Sequence, residues 1–166
     1  MNTTSETKTT QVYRVFIKAT PEAIWEAITN PEWSVRYGYG ALNEYDLRPG
    51  GRYSGRATPE LQQMGMPEEV VEGEVLEVDP PHKLVHTWRF MWGDEFAGEG
   101  PTRVAFDIKE LGNGVSSLTV THELENAPKT AAQIGGEIEG AGGGWAYILS
   151  DLKSLLETGH ALEVQA

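Results

Sequence analysis

The chain has 166 residues, a formal net charge of -12 at pH 7 and no cysteine. That length fits one domain able to bury roughly two thirds of its unfolded surface without covalent staples. The acidic balance, with Lys and Arg scattered along the chain, argues against nucleic acid and anionic membrane surfaces as partners, and the lack of cysteine excludes disulfides, thiolate zinc sites and cysteine nucleophiles.

The N-terminal MNTTSETKTTQ is polar and lacks the apolar stretch of a secretion signal, so a cytoplasmic location without membrane insertion is expected. Residues 1–10 read as a disordered tail, 11–160 as a single domain and 161–166 as a C-terminal tail. Tyr13, Val15, Ile17 and Ala19 alternate with Arg14 and Lys18, the pattern of a half-buried strand. Thr20-Pro21-Glu22 then supplies an N-cap, a proline at the first helical position and an early acid, which starts a short helix with Ile24, Trp25 and Ile28 on its apolar stripe. Asn30-Pro31 ends it and opens a second short helix carrying Trp33 and Tyr37.

Tyr45 and Leu47 mark a strand running into the turn Arg48-Pro49-Gly50-Gly51, and Tyr53 and Gly55 begin the return. Residues 57–69 read as a mobile lid. Strands follow at about 70–79, 82–92, 102–110 and 115–124, with a Pro-Pro turn between the first two and Gly112-Asn113-Gly114 between the last two. In the second of them Leu84, His86, Trp88, Phe90 and Trp92 share one face and Val85, Thr87, Arg89 and Met91 the other. From Trp145 the period becomes helical: Trp145, Ile148, Leu149, Leu152, Leu155 and Leu156 form a stripe, with Asp151, Lys153 and Glu157 off it and Gly159 as a stop. Residues 135–144 hold six glycines and read as a flexible loop entering that helix near Gly142.

An antiparallel sheet with one apolar face must bury it, and the long helix is the element able to cover it. The expected architecture is α+β: a seven-stranded antiparallel sheet curled around a long C-terminal helix, with two short helices after strand 1. Several motifs fit one pattern across most of the chain: Ala19-Thr20-Pro21 to Trp25, Asp46-Leu47-Arg48-Pro49-Gly50-Gly51, Gly73 to Trp88, Thr121-His122, and Gly144-Trp145 to Leu155. Together they resemble the activator of Hsp90 ATPase homologue 1-like (AHSA1) family of the START/Bet v 1-like (SRPBCC) superfamily. The resemblance implies the helix-grip fold and a hydrophobic cavity for a small molecule, and it names a chaperone as a protein partner. Two departures fall at the expected cavity mouth: Tyr37-Gly38-Tyr39, where relatives often carry Trp, and Gly142-Gly143-Gly144 before the helix Trp.

The expected ligand-binding set is Trp33, Tyr37, Tyr53, Glu74, His86, Trp88, Phe90, Val120, His122, Trp145 and Leu149. Several Trp residues converging on one face favour a pocket wall over a filled core, because each buried indole N–H needs a partner. Leu152 and Leu156, deeper along the helix, read as plain core. His86, His122 and Glu74 could anchor a ligand or act as an acid and base pair in a cyclase or hydrolase, but no nucleophile or orienting Asp accompanies them, and satisfied core histidines or ligand anchors are favoured over catalysis. No motif calls for a cofactor or a metal ion: His82 and His86 are separated by a turn and strand, and His160 lies past the helix. The acidic groups Glu68, Glu69, Glu72, Glu74, Glu77 and Asp94, Glu95, Glu99 read as solvated surface. The leading expectation is a non-enzymatic carrier or sensor of a small hydrophobic or aromatic ligand, with a co-chaperone-like interaction module as the alternative.

Overall fold

The first strand, β1 (Thr10–Ile17), leads into α1 (Pro21–Thr29) and α2 (Pro31–Ser34). The computed structural model describes residues 10–134 and 144–162; residues 1–9 and 163–166 of the tails expected at 1–10 and 161–166, and residues 135–143 of the glycine-rich stretch, lie outside the described residues. Both short helices start as their sequences dictate. The Thr20 hydroxyl accepts from the Ala23 N–H and Asn30 Oδ1 from the Glu32 N–H, each followed by proline at the first helical position, where its missing N–H costs nothing.

The remaining strands are β2 (Leu42–Tyr45), β3 (Arg52–Arg56), β4 (Glu69–Asp79), β5 (Lys83–Phe90), β6 (Thr102–Gly112) and β7 (Val115–Glu123). They form one antiparallel sheet in the order β1-β7-β6-β5-β4-β3-β2. Between β6 and β7 the chain reverses through Gly112, Asn113 and Gly114, all at positive φ, a conformation open to glycine and asparagine. Short helices α3 (Pro59–Gln63) and α4 (Asp94–Ala97) fill the connections expected to be loops, and α5 (Pro128–Ile134) follows β7. Leu61 and Met66 of the expected lid pack on the core, while Met64 stays exposed.

The long helix α6 (Gly144–Thr158) lays Trp145, Leu149, Leu152 and Leu155 on the sheet. One side chain departs from the amphipathic pattern. Asp151, placed on the wet side by periodicity, is 2 % exposed. Its carboxylate accepts N–H bonds from Gly38 and from Leu162, so it ties the segment after α2 and the chain beyond α6 to the helix. Buried carboxylates are retained when hydrogen bonds replace their water, and these two bonds do so.

Along β6 the residues Thr102, Val104, Phe106 and Ile108 are buried and alternate with exposed Arg103, Asp107 and Lys109. On β5 the inward face holds Leu84, His86 and Trp88 as expected, but Val85 on the opposite face is also fully buried. Trp92 lies past the end of β5 and is 44 % exposed, so it does not continue that face as a buried residue. No helix among the described residues is long and apolar enough to cross a membrane.

Candidate functional site

Between the inward face of the sheet and α6 the side chains do not meet everywhere, and a cavity of about 420 Å³ remains. Tyr53, Val71, Trp88, Phe90, Phe106 and Leu118 wall it from the sheet, and Trp145, Ile148, Leu149 and Leu152 from the helix. Tyr37, Tyr39 and Ala41 contribute from the segment linking α2 to β2, Asn43 from β2, Met66 from the α3 connection, and Gln133 and Ile134 from α5. Trp88 and Phe90, two residues apart on β5, hold their rings nearly parallel, 6° apart with centroids at 6.0 Å, and make one flat aromatic panel.

Of the expected ligand-binding set, Tyr37, Tyr53, Trp88, Phe90, Trp145 and Leu149 border this space, and the others do not. Trp33 is half-buried on α2 with the Arg36 guanidinium 4.6 Å from its ring centre. Val120 is solid core. Glu74 is a correction. It is exposed, because strand parity next to the fully buried Val75 turns it outward, where it borders a shallow cleft with Arg52, Glu72 and Arg89. Leu152, expected as core, borders the cavity, as do Asn43, Gln133, Met66 and Ile134, which sequence reasoning missed. Asn43 and Gln133 had no signal stronger than polar residues in short elements.

The two inward histidines sit one layer behind the cavity wall. The His86 ring packs against Tyr53, centroids 4.2 Å apart, and against Phe106 at 5.8 Å. Its Nδ1 lies 2.7 Å from the Thr87 carbonyl, which can only accept, so Nδ1 carries the proton and Nε2 accepts from the Tyr45 hydroxyl at 3.2 Å. His122 is fixed the opposite way round. The Trp145 indole can only donate, at 3.1 Å to Nδ1, so the proton is on Nε2 and is given to the Thr102 hydroxyl at 2.7 Å. Thr102 passes its own proton to the Trp88 carbonyl, also at 2.7 Å. A closed chain of hydrogen bonds therefore joins the helix wall at Trp145 to the sheet wall at Trp88 through a neutral imidazole.

Burial disfavours the charged form of both rings. It pushes His86 down to about 4, against a smaller upward pull from the Thr87 carbonyl, and His122 down to about 3, aided by the proximity of His86. Both ring nitrogens of each are engaged and neither ring borders the cavity, so neither is placed to exchange a proton with a molecule inside it. Burial likewise raises the Tyr37 and Tyr53 phenols, the latter loosely bonded to Asn43 Oδ1 at 3.5 Å. Among the described residues no side-chain N or O atom that is itself completely enclosed is left without a partner, and no group of His, Asp and Glu is arranged to hold a metal ion.

Four of the acidic residues expected as solvated surface are ion-paired. Glu68 pairs with Arg56, Glu69 with Arg52, Glu72 with Arg89 and Glu77 with Lys83. The Glu99 carboxylate instead accepts from the Lys129 and Thr130 N–H groups and the Thr130 hydroxyl, holding the start of α5.

A seven-stranded antiparallel sheet closed by a C-terminal helix, with an apolar hollow between them, defines a helix-grip α+β domain. Residues 18–157 match the family described as activator of Hsp90 ATPase homolog 1-like protein, and the chain belongs to that family. No curated protein matches it. Among solved structures, CalU16 from Micromonospora echinospora is 20% identical with a TM-score of 0.57, over 76% of this chain and 66% of that one, so this chain spans about two thirds of its length. PFC0360w, an HSP90 activator from Plasmodium falciparum, is 24% identical at TM-score 0.53, over 69% of this chain and 71% of that one. The Aha1 dimer from Colwellia psychrerythraea is 19% identical at TM-score 0.62, over 90% and 97%. At these identities the likeness is one of fold.

Proposed function

We propose that this protein binds a small, largely apolar aromatic molecule in the hollow between the sheet and α6, as a carrier or sensor. The observation that carries this reading is the cavity itself: about 420 Å³ of space walled by Trp88, Phe90, Phe106, Trp145 and leucines. Closely packed interiors leave few voids larger than a water molecule, and ligand sites of this kind begin at about 300 Å³. Burying about 200 Å² of apolar ligand surface there would contribute about 5 kcal/mol before the costs of association. The His122 chain supports the reading, because it ties the Trp145 indole on α6 to the Trp88 backbone on β5 through a ring that does not border the hollow.

Titration with the neutral probe N-phenyl-1-naphthylamine tests it. Saturable fluorescence enhancement with a micromolar Kd is expected. Leu149→Trp, which fills the hollow from the helix side, should weaken binding at least about tenfold with the fold intact by near-UV circular dichroism, and Leu152→Phe serves if that variant misfolds. Absence of saturable binding in the unaltered protein, or unchanged binding in a folded cavity-filling variant, rejects the cavity as the site.

Family membership favours a second reading, an interaction with Hsp90, since PFC0360w is itself an HSP90 activator. On this reading an outer surface is used, and saturating protein should raise the ATP turnover of a cognate Hsp90 severalfold; an unaltered turnover removes it.

A further inference from the structure

The side chains around the cavity are mixed in size and polarity but uniform in one respect: among the described residues none is Asp, Glu, Lys, Arg or His. The two deep phenols, Tyr37 and Tyr53, are held above the usual phenol range by burial and stay uncharged at neutral pH. A carboxylate, phosphate or ammonium group entering this space would lose its water and meet no opposite charge, and buried ions persist only when paired. The -12 net charge of the whole chain adds a field that opposes anions further.

The uncharged hydrogen-bonding groups on the wall are not all occupied. Tyr37 gives its proton to the Ala27 carbonyl, Ser34 gives its own to the Ala41 carbonyl, and the Trp145 indole is spent on His122. Asn43 Oδ1 receives the Tyr53 hydroxyl, which leaves the Asn43 amide N–H groups without a partner among the described residues. The Trp88 indole N–H likewise has none, although the residue is only 9 % exposed. Such a donor retains its hydrogen bond on ligand uptake only if the ligand brings an acceptor.

Resting on the cavity reading above, we propose that the ligand is an uncharged aromatic molecule bearing a carbonyl or ether oxygen, its ring lying against the Trp88–Phe90 panel and its oxygen accepting from Trp88 or Asn43. Charged aromatics of the same shape are refused.

Three matched naphthalenes test this by displacing N-phenyl-1-naphthylamine: 2-acetylnaphthalene, its apolar counterpart 2-ethylnaphthalene, and the anion 2-naphthoate at pH 7.5. The acetyl compound should compete about tenfold more tightly than the ethyl compound, the gain of one hydrogen bond to a donor otherwise left unpaired, and at least tenfold more tightly than naphthoate. In Trp88→Phe the acetyl preference over ethyl should shrink toward parity; Asn43→Leu provides the same readout on the other donor, and loss of the preference in at least one of the two is required. Naphthoate binding as tightly as the acetyl compound, ethyl matching acetyl in the unaltered protein, or the preference surviving in both variants overturns the proposal. If the probe binds and none of the three displaces it, the proposal falls and the cavity reading stands. If the probe itself does not bind, the cavity reading fails first and takes the proposal with it.

Discussion

Taking the protein from pH 7.5 to pH 4.5 should strip several kcal/mol from its unfolding free energy, well before its carboxylates are fully protonated. The unfolded chain binds a proton at each of His86 and His122 as the pH falls through about 6.5. The folded chain keeps both neutral down to about 4 and about 3, because burial penalises the imidazolium. In that window the unfolded state holds more protons, so stability falls as pH falls, by up to about 1.4 kcal/mol per pH unit for each ring and about 5 kcal/mol at most for the pair by pH 4.5. Geometry adds to the penalty at His122. A proton on Nδ1 would face the Trp145 N–H, a donor with no capacity to accept, and the link between the walls would open. Relief of the repulsion within a chain of net charge -12 acts in the opposite direction as the pH approaches the pI near 4.7, which makes a net loss diagnostic of the histidines. Urea midpoints at pH 7.5, 6.5, 5.5 and 4.5 measure it. A flat profile would show that the rings are not buried neutral, and His122→Gln should reduce the slope where the unaltered protein is steepest.

The parts of this molecule that follow local rules were legible in its sequence. Period-two alternation in β6 and β7, the Thr20 and Asn30 caps and the stripe on α6 each reflect a choice made over a few residues, and they suffice to specify a sheet that must be covered by one helix. What escaped was set by contacts between residues distant in sequence. Asp151 looks solvated until the Gly38 and Leu162 amides are brought to it. His86 and His122 face inward as parity requires, yet whether an inward ring touches a cavity or stands behind its wall depends on Tyr53, Phe106, Trp88 and Trp145 arriving from other elements. Glu74 is legible in the other direction: the alternation that places Val71 and Val75 inside also puts Glu74 outside, so backbone parity decides its position and the chemistry an acid would offer beside two histidines does not.

Gly73→Ala should be among the most damaging single substitutions in the chain, costing about 3 kcal/mol or more, although it adds one methyl group. A Cβ at Gly73 would stand 1.9 Å from the Thr87 carbonyl oxygen and 2.7 Å from its carbon, and the obstacle is backbone of the adjacent strand, which no rotamer change can move aside. To make room, β4 and β5 must part where Glu72 faces Arg89 and Val75 faces His86. The displaced carbonyl is the one that accepts the His86 Nδ1–H, so the clash also releases a buried donor and the tautomer that lets His86 accept from Tyr45. Gly50→Ala supplies the contrast. Gly50 has φ of 86° and nothing within 4 Å of the added atom, so its cost is conformational alone, about 1 kcal/mol. Urea unfolding of the two variants beside the unaltered protein separates the mechanisms. A Gly73→Ala protein no less stable than Gly50→Ala would mean that β4 and β5 do not approach so closely at this point, and that the carbonyl holding His86 has freedom to yield.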